Sequence, residues 1–243
     1  MADLRFHAMH DGRRIAFRLI AGTGPVLVFL PGYMSDMSGS KASALADWAE
    51  ARGRSCLLLD YSGCGQSEGR FEHGTLSRWR EEVLALVEAH LPGRVVLVGS
   101  SMGGWLMLLA GTVLGQRLAG LVGIAAAPDF SEWGYNDEEK ARLAAGETVL
   151  RPNPYGPDPT PMHPAFWRDA QGLQMLGAPV AIDCPVRLLH GQEDEDVPVA
   201  TSMQLACTLR STDVHLTLLK GGDHRLSRPG DIDLLLRTVA ALP

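Results

Sequence analysis

The chemistry that this sequence can perform centres on a serine between two glycines, in the stretch Gly99-Ser100-Ser101-Met102-Gly103. An apolar run, VVLV, precedes the stretch, and a second one, WLMLLA, follows it. A Gly-x-Ser-x-Gly pattern between a strand and a helix predicts a sharp turn that exposes the central hydroxyl, a nucleophile elbow. Glycines stand two residues before and two residues after Ser101, whereas valine and methionine stand at the corresponding positions around Ser100. Ser100 is better explained as the N-cap of the following helix. The spacing therefore predicts Ser101 as a nucleophile.

A serine hydroxyl needs a base to take its proton, and the base needs an acid to orient it. Where such an elbow lies in an α/β sheet, the acid and then the histidine follow the serine along the chain. Four histidines follow Ser101, namely His163, His190, His215 and His224. His224 lies in the glycine-rich segment KGGDHR, between the last predicted strand and the final helix, and is predicted as the base. His190 ends a predicted strand and is interpreted as a packed or backbone-bonded residue.

The acid is predicted in the segment HGQEDEDVP, residues 190–198, which follows the penultimate predicted strand. Its position after the His-Gly pair favours Asp194, with Asp196 as the alternative. The run of four carboxylates could also be a solvated turn or a weak cation site. Asp223, beside the predicted base, is expected to face solvent or to cap its own loop.

The oxyanion of a tetrahedral intermediate needs N–H donors already in place. One predicted donor is the backbone N–H of Met102, which follows the nucleophile. The other is the N–H of Tyr33, because Pro31-Gly32 turns the chain after the first predicted parallel strand.

Motifs for cofactors are missing from the sequence. It has neither a GxGxxG fingerprint nor a GxxxxGK[ST] loop, so no nucleotide cofactor is predicted. Its four cysteines form no CxxC pair, which predicts free thiols in a reducing compartment and no metal site.

Short apolar runs alternate with helical patterns along the chain. The helical patterns include residues 76–87 and the C-terminal segment around Ile232, Leu235, Leu236 and Val239. Runs this rich in Val, Ile and Leu are typical of strands buried on both faces, so the order predicts a doubly wound, mostly parallel α/β sheet. Residues 13–20, RRIAFRLI, are predicted as an antiparallel edge strand. The six runs predicted as parallel strands are residues 25–30, 55–60, 95–100, 121–127, 186–191 and 215–221.

Residues 131–182 interrupt this alternation. They contain a polar helical segment and then six prolines between positions 152 and 164. We interpret 131–182 as a cap inserted into a core formed by 1–130 and 183–243, because a structureless loop this long in a compact domain is usually a lid or binding element. Trp133, Phe166 and Trp167 are then predicted to contact the substrate. The alternative is a surface excursion that its aromatic residues merely anchor.

Charge and hydropathy restrict the partners. The formal net charge of −6 argues against nucleic acid as a main partner. No apolar run approaches the roughly 20 residues of a transmembrane helix, so no transmembrane segment is predicted. The first residues, MADLRFHAMHDGRRIAF, do not read as a signal or transit peptide, which leads to the expectation of a cytoplasmic, bacterial-type protein. The sequence gives no prediction of the oligomeric state.

The motifs together resemble the α/β-hydrolase superfamily over essentially the whole chain. The phrases LPGYMSDMSGSKA, DYSGCGQSEG, VGSSMGGWLML and CPVRLLHGQEDEDVP are similar to the mitochondrial palmitoyl-protein thioesterases within it. The resemblance implies a serine hydrolase that cleaves acyl thioesters or esters, among them those of S-acylated proteins, through an acyl-serine intermediate, with Ser101, Asp194 and His224 as its triad.

Several alternatives to an acyl-protein thioesterase stay open at this stage. The first is a general carboxylesterase acting on small esters or acyl glucuronides, which would use the same catalytic residues. A peptidase or a C–C hydrolase is less favoured. A non-catalytic ligand-binding protein on the same fold is disfavoured, because nucleophile, acid and base are all present in order.

Overall fold

The computed structural model describes residues 2–154 and 156–243. In this part of the chain eight strands form one sheet, in the order β1-β2-β4-β3-β5-β6-β9-β10. The strands are β1 (Leu4–Ala8), β2 (Arg14–Ile20), β3 (Thr23–Leu30), β4 (Arg54–Leu59), β5 (Val95–Ser100), β6 (Leu118–Ile124), β9 (Val186–Gly191) and β10 (Val214–Leu219). The pairs β1–β2 and β2–β4 are antiparallel, and every pair from β4 to β10 is parallel. Strands β7 (Val149–Arg151) and β8 (Thr160–Met162) form a separate antiparallel hairpin.

Helices cover both faces of the sheet. They are α1 (Ser40–Arg52), α2 (Leu76–His90), α3 (Met102–Leu114), α4 (Phe130–Trp133), α5 (Asp137–Ala144), α6 (Pro164–Gln171), α7 (Val199–Thr208) and α8 (Pro229–Ala240). Buried residues of α1 and α8 belong to one hydrophobic cluster, and those of α2, α3, α6 and α7 belong to a second cluster. Among the helices of the described residues, none has the length and hydrophobicity that spanning a bilayer requires.

The predicted doubly wound sheet is confirmed, and each of the six apolar runs overlaps one of the parallel strands. Strand β5 shows why the pattern is informative, because all six of its residues are buried. A strand with a helix layer on each face has no solvated side, so its sequence is a continuous apolar run rather than an alternation.

The prediction of an edge strand at residues 13–20 is wrong in one respect. Strand β2 is antiparallel, as predicted, but it lies between β1 and β4. The edge is β1, whose sequence LRFHA has no apolar run and whose residues are exposed or half-buried. An edge strand of this kind carries no hydrophobic signal from which it could be recognised.

Residues 131–182 are built from α4, α5, the β7–β8 hairpin and α6. Their apolar residues do not form a separate core: Leu143, Met162, Phe166 and Ala170 belong to the same cluster as α2 and α3. Helix α6 contacts α2, α4 and α5. The division of the chain into a core and a cap stays a prediction.

The junction of β5 and α3 depends on two glycines. A Cβ added at Gly103 would lie 2.1 Å from the Leu30 carbonyl oxygen, and one at Gly99 would lie 2.3 Å from the Gly103 carbonyl oxygen. Both distances are far shorter than any real contact of a Cβ atom. Helix α3 can therefore pack against the ends of β3 and β5 only where these positions lack side chains.

We expect Gly103→Ala to destabilise the fold by about 3 kcal/mol, because the added methyl group meets backbone that cannot rotate away. The measurement is chemical denaturation of the variant and the wild type. Gly93→Ala is the matched control: nothing lies within 4 Å of a Cβ at Gly93, so its effect should stay within about 0.5 kcal/mol. Equal stabilities of the two variants would contradict the close approach at the β5–α3 junction.

Candidate active site

Ser101 occupies the turn between β5 and α3 with φ 54° and ψ −121°. This backbone conformation is strained for a residue with a side chain. Three hydrogen bonds hold it. The Ser101 N–H donates to the Ile124 carbonyl over 2.9 Å, and the Ser101 carbonyl accepts from the N–H groups of Gly104 and Ala127 over 2.8 and 3.1 Å. The end of β6 thus fixes the strained residue.

The structure brings Ser101, His224 and Asp194 into one hydrogen-bonded line. His224 Nε2 lies 3.1 Å from Ser101 Oγ, and His224 Nδ1 lies 2.9 Å from Asp194 Oδ2. With the carboxyl group ionised, Nδ1 carries the proton that it donates to Asp194. Nε2 is then free to accept a proton from the serine hydroxyl. The geometry is the one that general-base activation of a serine requires.

Asp194 follows β9, and its side chain has no exposed surface. Its Oδ1 accepts hydrogen bonds from the backbone N–H groups of Asp196 and Val197, over 2.9 and 2.8 Å. Burial by itself raises the pKa of this carboxyl group, but the hydrogen bonds from His190, His224 and the backbone outweigh it and hold the pKa far below its usual range. Asp194 is therefore an anion at any pH near neutrality.

His224 reaches the site on the loop between β10 and α8. The loop passes close to the end of β9: a Cβ at Gly191 would lie 2.2 Å from the Gly222 carbonyl oxygen, which accepts a hydrogen bond from the Glu193 N–H. Asp223 bonds within its own loop, through its Oδ1 and the Leu226 N–H at 2.9 Å, as the sequence predicted. The contact between the two glycine-containing turns positions the imidazole beside Asp194.

The loop after β3 lies against the serine. A Cβ at Gly32 would be 3.5 Å from Ser101 Cβ. The Ser35 N–H donates to the Gly32 carbonyl and closes a tight turn around Tyr33 and Met34, with Met34 at φ 58°. The hydrogen bond that closes this turn joins Ser35 and Gly32 and does not involve the Tyr33 N–H. Met102 is the first residue of α3, where backbone N–H groups have no partner within the helix. Both N–H groups stay predicted oxyanion donors.

The side chain of Tyr33 connects this loop to the inserted segment. Its hydroxyl donates a hydrogen bond to the Pro161 carbonyl over 2.9 Å. Its ring packs edge-on against Phe71, Phe130 and Phe166. Burial raises the pKa of the Tyr33 hydroxyl well above its ordinary value, so the group is a neutral donor. The position of the loop is thus set partly by residues 131–182.

A cavity of about 550 Å³ opens in front of Ser101. Its lining includes Ser101 and His224, the loop after β3, the start of α1 and the β7–β8 hairpin. Aromatic residues form one part of the wall, and charged residues form another. The aromatic residues are Phe29, Tyr33, Phe130, Trp133 and Tyr135, and the charged ones are Asp36, Lys41, Arg151, Asp196 and Arg225.

Of the three aromatic residues predicted to contact substrate, the structure brings only Trp133 to this cavity. Phe166 is 1% exposed and packs against Trp79 and Phe130, so it belongs to the core instead. The Trp167 ring N–H donates to the Ser131 carbonyl and anchors the segment. Composition shows that a segment is aromatic but not whether a ring faces a cavity or a core.

Some lining residues were not singled out from the sequence. Phe130 and Tyr135 flank Trp133 in the chain and share its wall of the cavity. Arg151 lies on β7, where its guanidinium group is held by Glu139, the Gly134 carbonyl and the ring of Tyr135. In the sequence, the signal that points to Phe130 and Tyr135 is that they lie close to Trp133, which was predicted to contact the substrate. Arg151 had none.

Three potential metal ligands lie in the candidate site. Ligand atoms of Asp194, Asp196 and His224 lie within 4.8 Å of one another. The oxygens of Asp194 already accept hydrogen bonds from His224, Asp196 and Val197, so a cation there would have to break the line to Ser101. The expectations of no metal and no cofactor stay predictions. The four cysteines are free thiols.

The chain belongs to the alpha/beta hydrolase family, whose model matches residues 27–232. A sheet of this topology with a serine elbow after β5 is the architecture of that family. The chain is therefore an enzyme of the hydrolase class.

Particular relatives are similar over nearly the full chain. The human protein named "Palmitoyl-protein thioesterase ABHD10, mitochondrial" is 37% identical over 241 residues, which span 98% of this chain and 79% of that protein. The structure of mouse alpha/beta hydrolase domain-containing protein 10 superposes with a TM-score of 0.92 at 35% identity, over 98% of this chain and 97% of the mouse chain. A protein from Agrobacterium vitis S4 superposes with a TM-score of 0.91 at 38% identity, over 98% of both chains.

We expect Asp194→Asn to lower kcat for an ester substrate roughly 10³- to 10⁴-fold, because the amide cannot hold the Nδ1–H tautomer of His224 or stabilise its cation. Steady-state hydrolysis of p-nitrophenyl butyrate measures this loss. Asp196→Asn, the alternative acid, should lose less than about tenfold, since its side chain is exposed at the rim of the cavity. The exposed Glu195→Gln is the control. A larger loss in Asp196→Asn than in Asp194→Asn would reassign the acid.

Proposed function

We propose that the chain is a serine hydrolase that cleaves acyl thioesters through an acyl-serine intermediate, in the manner of an acyl-protein thioesterase. The observation that carries the proposal is the line from Ser101 Oγ through His224 to the buried Asp194 carboxylate, opening on a partly aromatic cavity. The names of the curated relatives support the thioester as the substrate class.

In the first half of the reaction, Ser101 Oγ attacks the carbonyl carbon of the acyl group while its proton moves to His224 Nε2. The negative charge that develops on the carbonyl oxygen is stabilised by the N–H groups of Tyr33 and Met102. Collapse of this intermediate expels the thiolate, which takes the proton from His224 and leaves as a thiol. The Asp194 anion stabilises the imidazolium cation throughout.

In the second half, water attacks the acyl-serine and gives a proton to His224 Nε2. The carboxylic acid leaves, Ser101 recovers its proton, and the enzyme returns to its starting state. In this proposal the acyl chain contacts Phe130, Trp133 and Tyr135, so residues 131–182 act as a cap.

The partner and the cellular location of the protein are also part of this proposal. The thiol leaving group would belong to an S-acylated protein, and the net charge of −6 makes nucleic acid an unfavourable partner. Free thiols at all four cysteines fit a reducing compartment. The cytosol stays a prediction, since the curated relatives carry the name mitochondrial.

A fluorophosphonate probe tests the nucleophile. We expect the wild type and Ser100→Ala to be labelled and Ser101→Ala to stay unlabelled, because the Ser101 hydroxyl lies 3.1 Å from His224 Nε2. Ser101→Ala should also lose at least about 10³-fold in hydrolysis of a palmitoyl thioester peptide and of p-nitrophenyl butyrate. A wild type that is inert toward both substrates would favour the ligand-binding alternative.

A second candidate, hydrolysis of small anionic esters such as acyl glucuronides, is favoured by one observation. Lys41 lines the cavity, and its ammonium group donates to neutral oxygens, the Arg225 carbonyl and, at 3.5 Å, Ser227 Oγ. Burial, and then the charge of Arg225, lower the pKa of Lys41 to about 8. Lys41 is therefore largely charged at neutral pH and could bind the carboxylate of a glucuronide.

The test compares a benzoyl acyl glucuronide with its uncharged methyl ester. Lys41→Met should raise KM for the glucuronide about tenfold and change KM for the methyl ester less than twofold. Because a lysine loses its charge as pH rises through its pKa, the wild-type preference for the anion should fall above pH 8, and the variant should show no such fall. Lys220→Met, at an exposed site, is the control for net charge. Equal effects of Lys41→Met on both substrates would eliminate this candidate.

A further inference from the structure

A second histidine lies on the far side of the Asp194 carboxylate. His190 is at the end of β9 and is fully buried. Its Nε2 is 3.3 Å from Asp194 Oδ2 and 2.9 Å from the Val197 carbonyl oxygen, and its Nδ1 is 2.6 Å from Ser202 Oγ. The prediction that His190 is packed or bonded to backbone is confirmed, but it did not include the contacts with Asp194 and Ser202.

These contacts fix the tautomer of the His190 ring. A carbonyl oxygen only accepts hydrogen bonds, so Nε2 must carry a hydrogen to bond with Val197. Nδ1 is then the acceptor for the hydroxyl of Ser202, which is itself buried on α7. A ring with its hydrogen on Nε2 satisfies every one of these partners.

The Nε2–H of His190 faces two acceptors, the Val197 carbonyl and Asp194 Oδ2. That same Oδ2 accepts the hydrogen bond from His224 Nδ1. Two imidazole rings therefore share one carboxylate oxygen, while two backbone N–H groups occupy the other. Each hydrogen bond that Oδ2 accepts reduces the negative charge that this oxygen offers to the other donor.

We propose that His190, held by Ser202, is a positioning residue that shares Asp194 Oδ2 with His224 and so weakens the stabilisation that this carboxylate gives to the His224 cation. The inference rests on the proposed function. A base serves best when its protonation midpoint lies near the working pH. A carboxylate that is buried and bonded only to His224 would favour the imidazolium form, which cannot take the Ser101 proton. Sharing Oδ2 with His190 moderates that effect.

Other charged groups lie near His224 or line the same cavity. They are Asp196 on the loop after β9, Lys41 of α1, which bonds the Arg225 carbonyl, Asp36 across the cavity, and Asp223 and Arg225 beside His224 in the chain. Replacing His190 changes none of these side chains. Asp196 adjoins Val197, whose carbonyl bonds His190, so a movement of Asp196 is separated from the change at Asp194 by Ser202→Ala, which keeps the ring of His190 and its contact with Val197.

The experiment measures kcat/KM for p-nitrophenyl butyrate between pH 4.5 and 8, and the rate of fluorophosphonate labelling over the same range. We expect His190→Leu, which has no donor, to move the midpoint of the acid limb upward by about 0.5–1 pH unit. His190→Gln, whose amide can donate to Oδ2, should return the midpoint most of the way to the wild-type value. Ser202→Ala keeps the ring and should move the midpoint in the same direction by a smaller amount, so the inference can be tested even if His190→Leu does not fold.

Ser62→Ala provides the matched control, because Ser62 is a buried serine bonded to the carboxyl group of Glu82, away from the cavity. It should lower the melting temperature without moving the acid limb. If His190→Leu and Ser202→Ala lose activity equally at all pH values with an unmoved midpoint, His190 is structural and the inference is wrong. The proposed function survives that result, provided that the wild type turns over the ester and is labelled at Ser101. A wild type without turnover or labelling overturns both.

Discussion

The strained backbone at Ser101 is the constraint on which the site depends. A positive φ at a serine costs about 1–3 kcal/mol and persists only where the surroundings enforce it. Here the enforcement comes from both sides: β5 is buried among parallel strands, and the first ten residues of α3 are all buried. Neither element can shift to relax the turn between them without exposing apolar surface. The serine side chain is consequently held at the edge of the sheet, where a second group can reach it.

Parallel strands explain how residues so distant in sequence meet. The loops that carry Tyr33, Ser101, Asp194 and His224 follow β3, β5, β9 and β10, and the carboxyl ends of parallel strands lie at one edge. Strand β6 separates β5 from β9 and offers no side chain to the hydrogen-bonded line. Its contribution is backbone: it binds the Ser101 N–H at Ile124 and is followed by the Ala125 N–H, which donates to β9 over 2.8 Å. The sheet thus fixes the spacing between serine and acid before any catalytic side chain is considered.

The sequence predicts those parts of the molecule that local pattern determines. Continuous apolar runs identified the parallel strands, and the glycines around Ser101 identified the turn, because both are requirements on neighbouring residues. Strand β1 escaped prediction since an edge strand needs no apolar run. Phe166 and Trp167 were predicted to contact substrate for a different reason: an aromatic ring is as stable packed in a core as lining a cavity, and only the path of the chain decides between them. Phe166 packs on Trp79 of α2, and Trp167 bonds the Ser131 carbonyl. The contact of His190 with Asp194 is equally invisible, because a histidine four residues before an aspartate has no fixed relation to it outside a known turn.

The charge of the buried Asp194 carboxylate depends on more residues than Ser101, His224 and Asp194 themselves. Burial by itself raises the pKa of Asp194 and so disfavours its charged form, which is the form that best stabilises an imidazolium cation. Donors from Asp196, Val197, His190 and His224 keep it charged. An anion stabilised by His224 alone, however, would stabilise the protonated form of that ring in turn, since the interaction is reciprocal. Asp194 must stay ionised, yet it must not hold His224 in the protonated form. Two backbone N–H groups and a second imidazole meet both requirements, because they keep the charge on Asp194 and leave His224 to provide only part of that stabilisation. The turn after β9 is therefore as much a component of the proposed base as the ring of His224 itself.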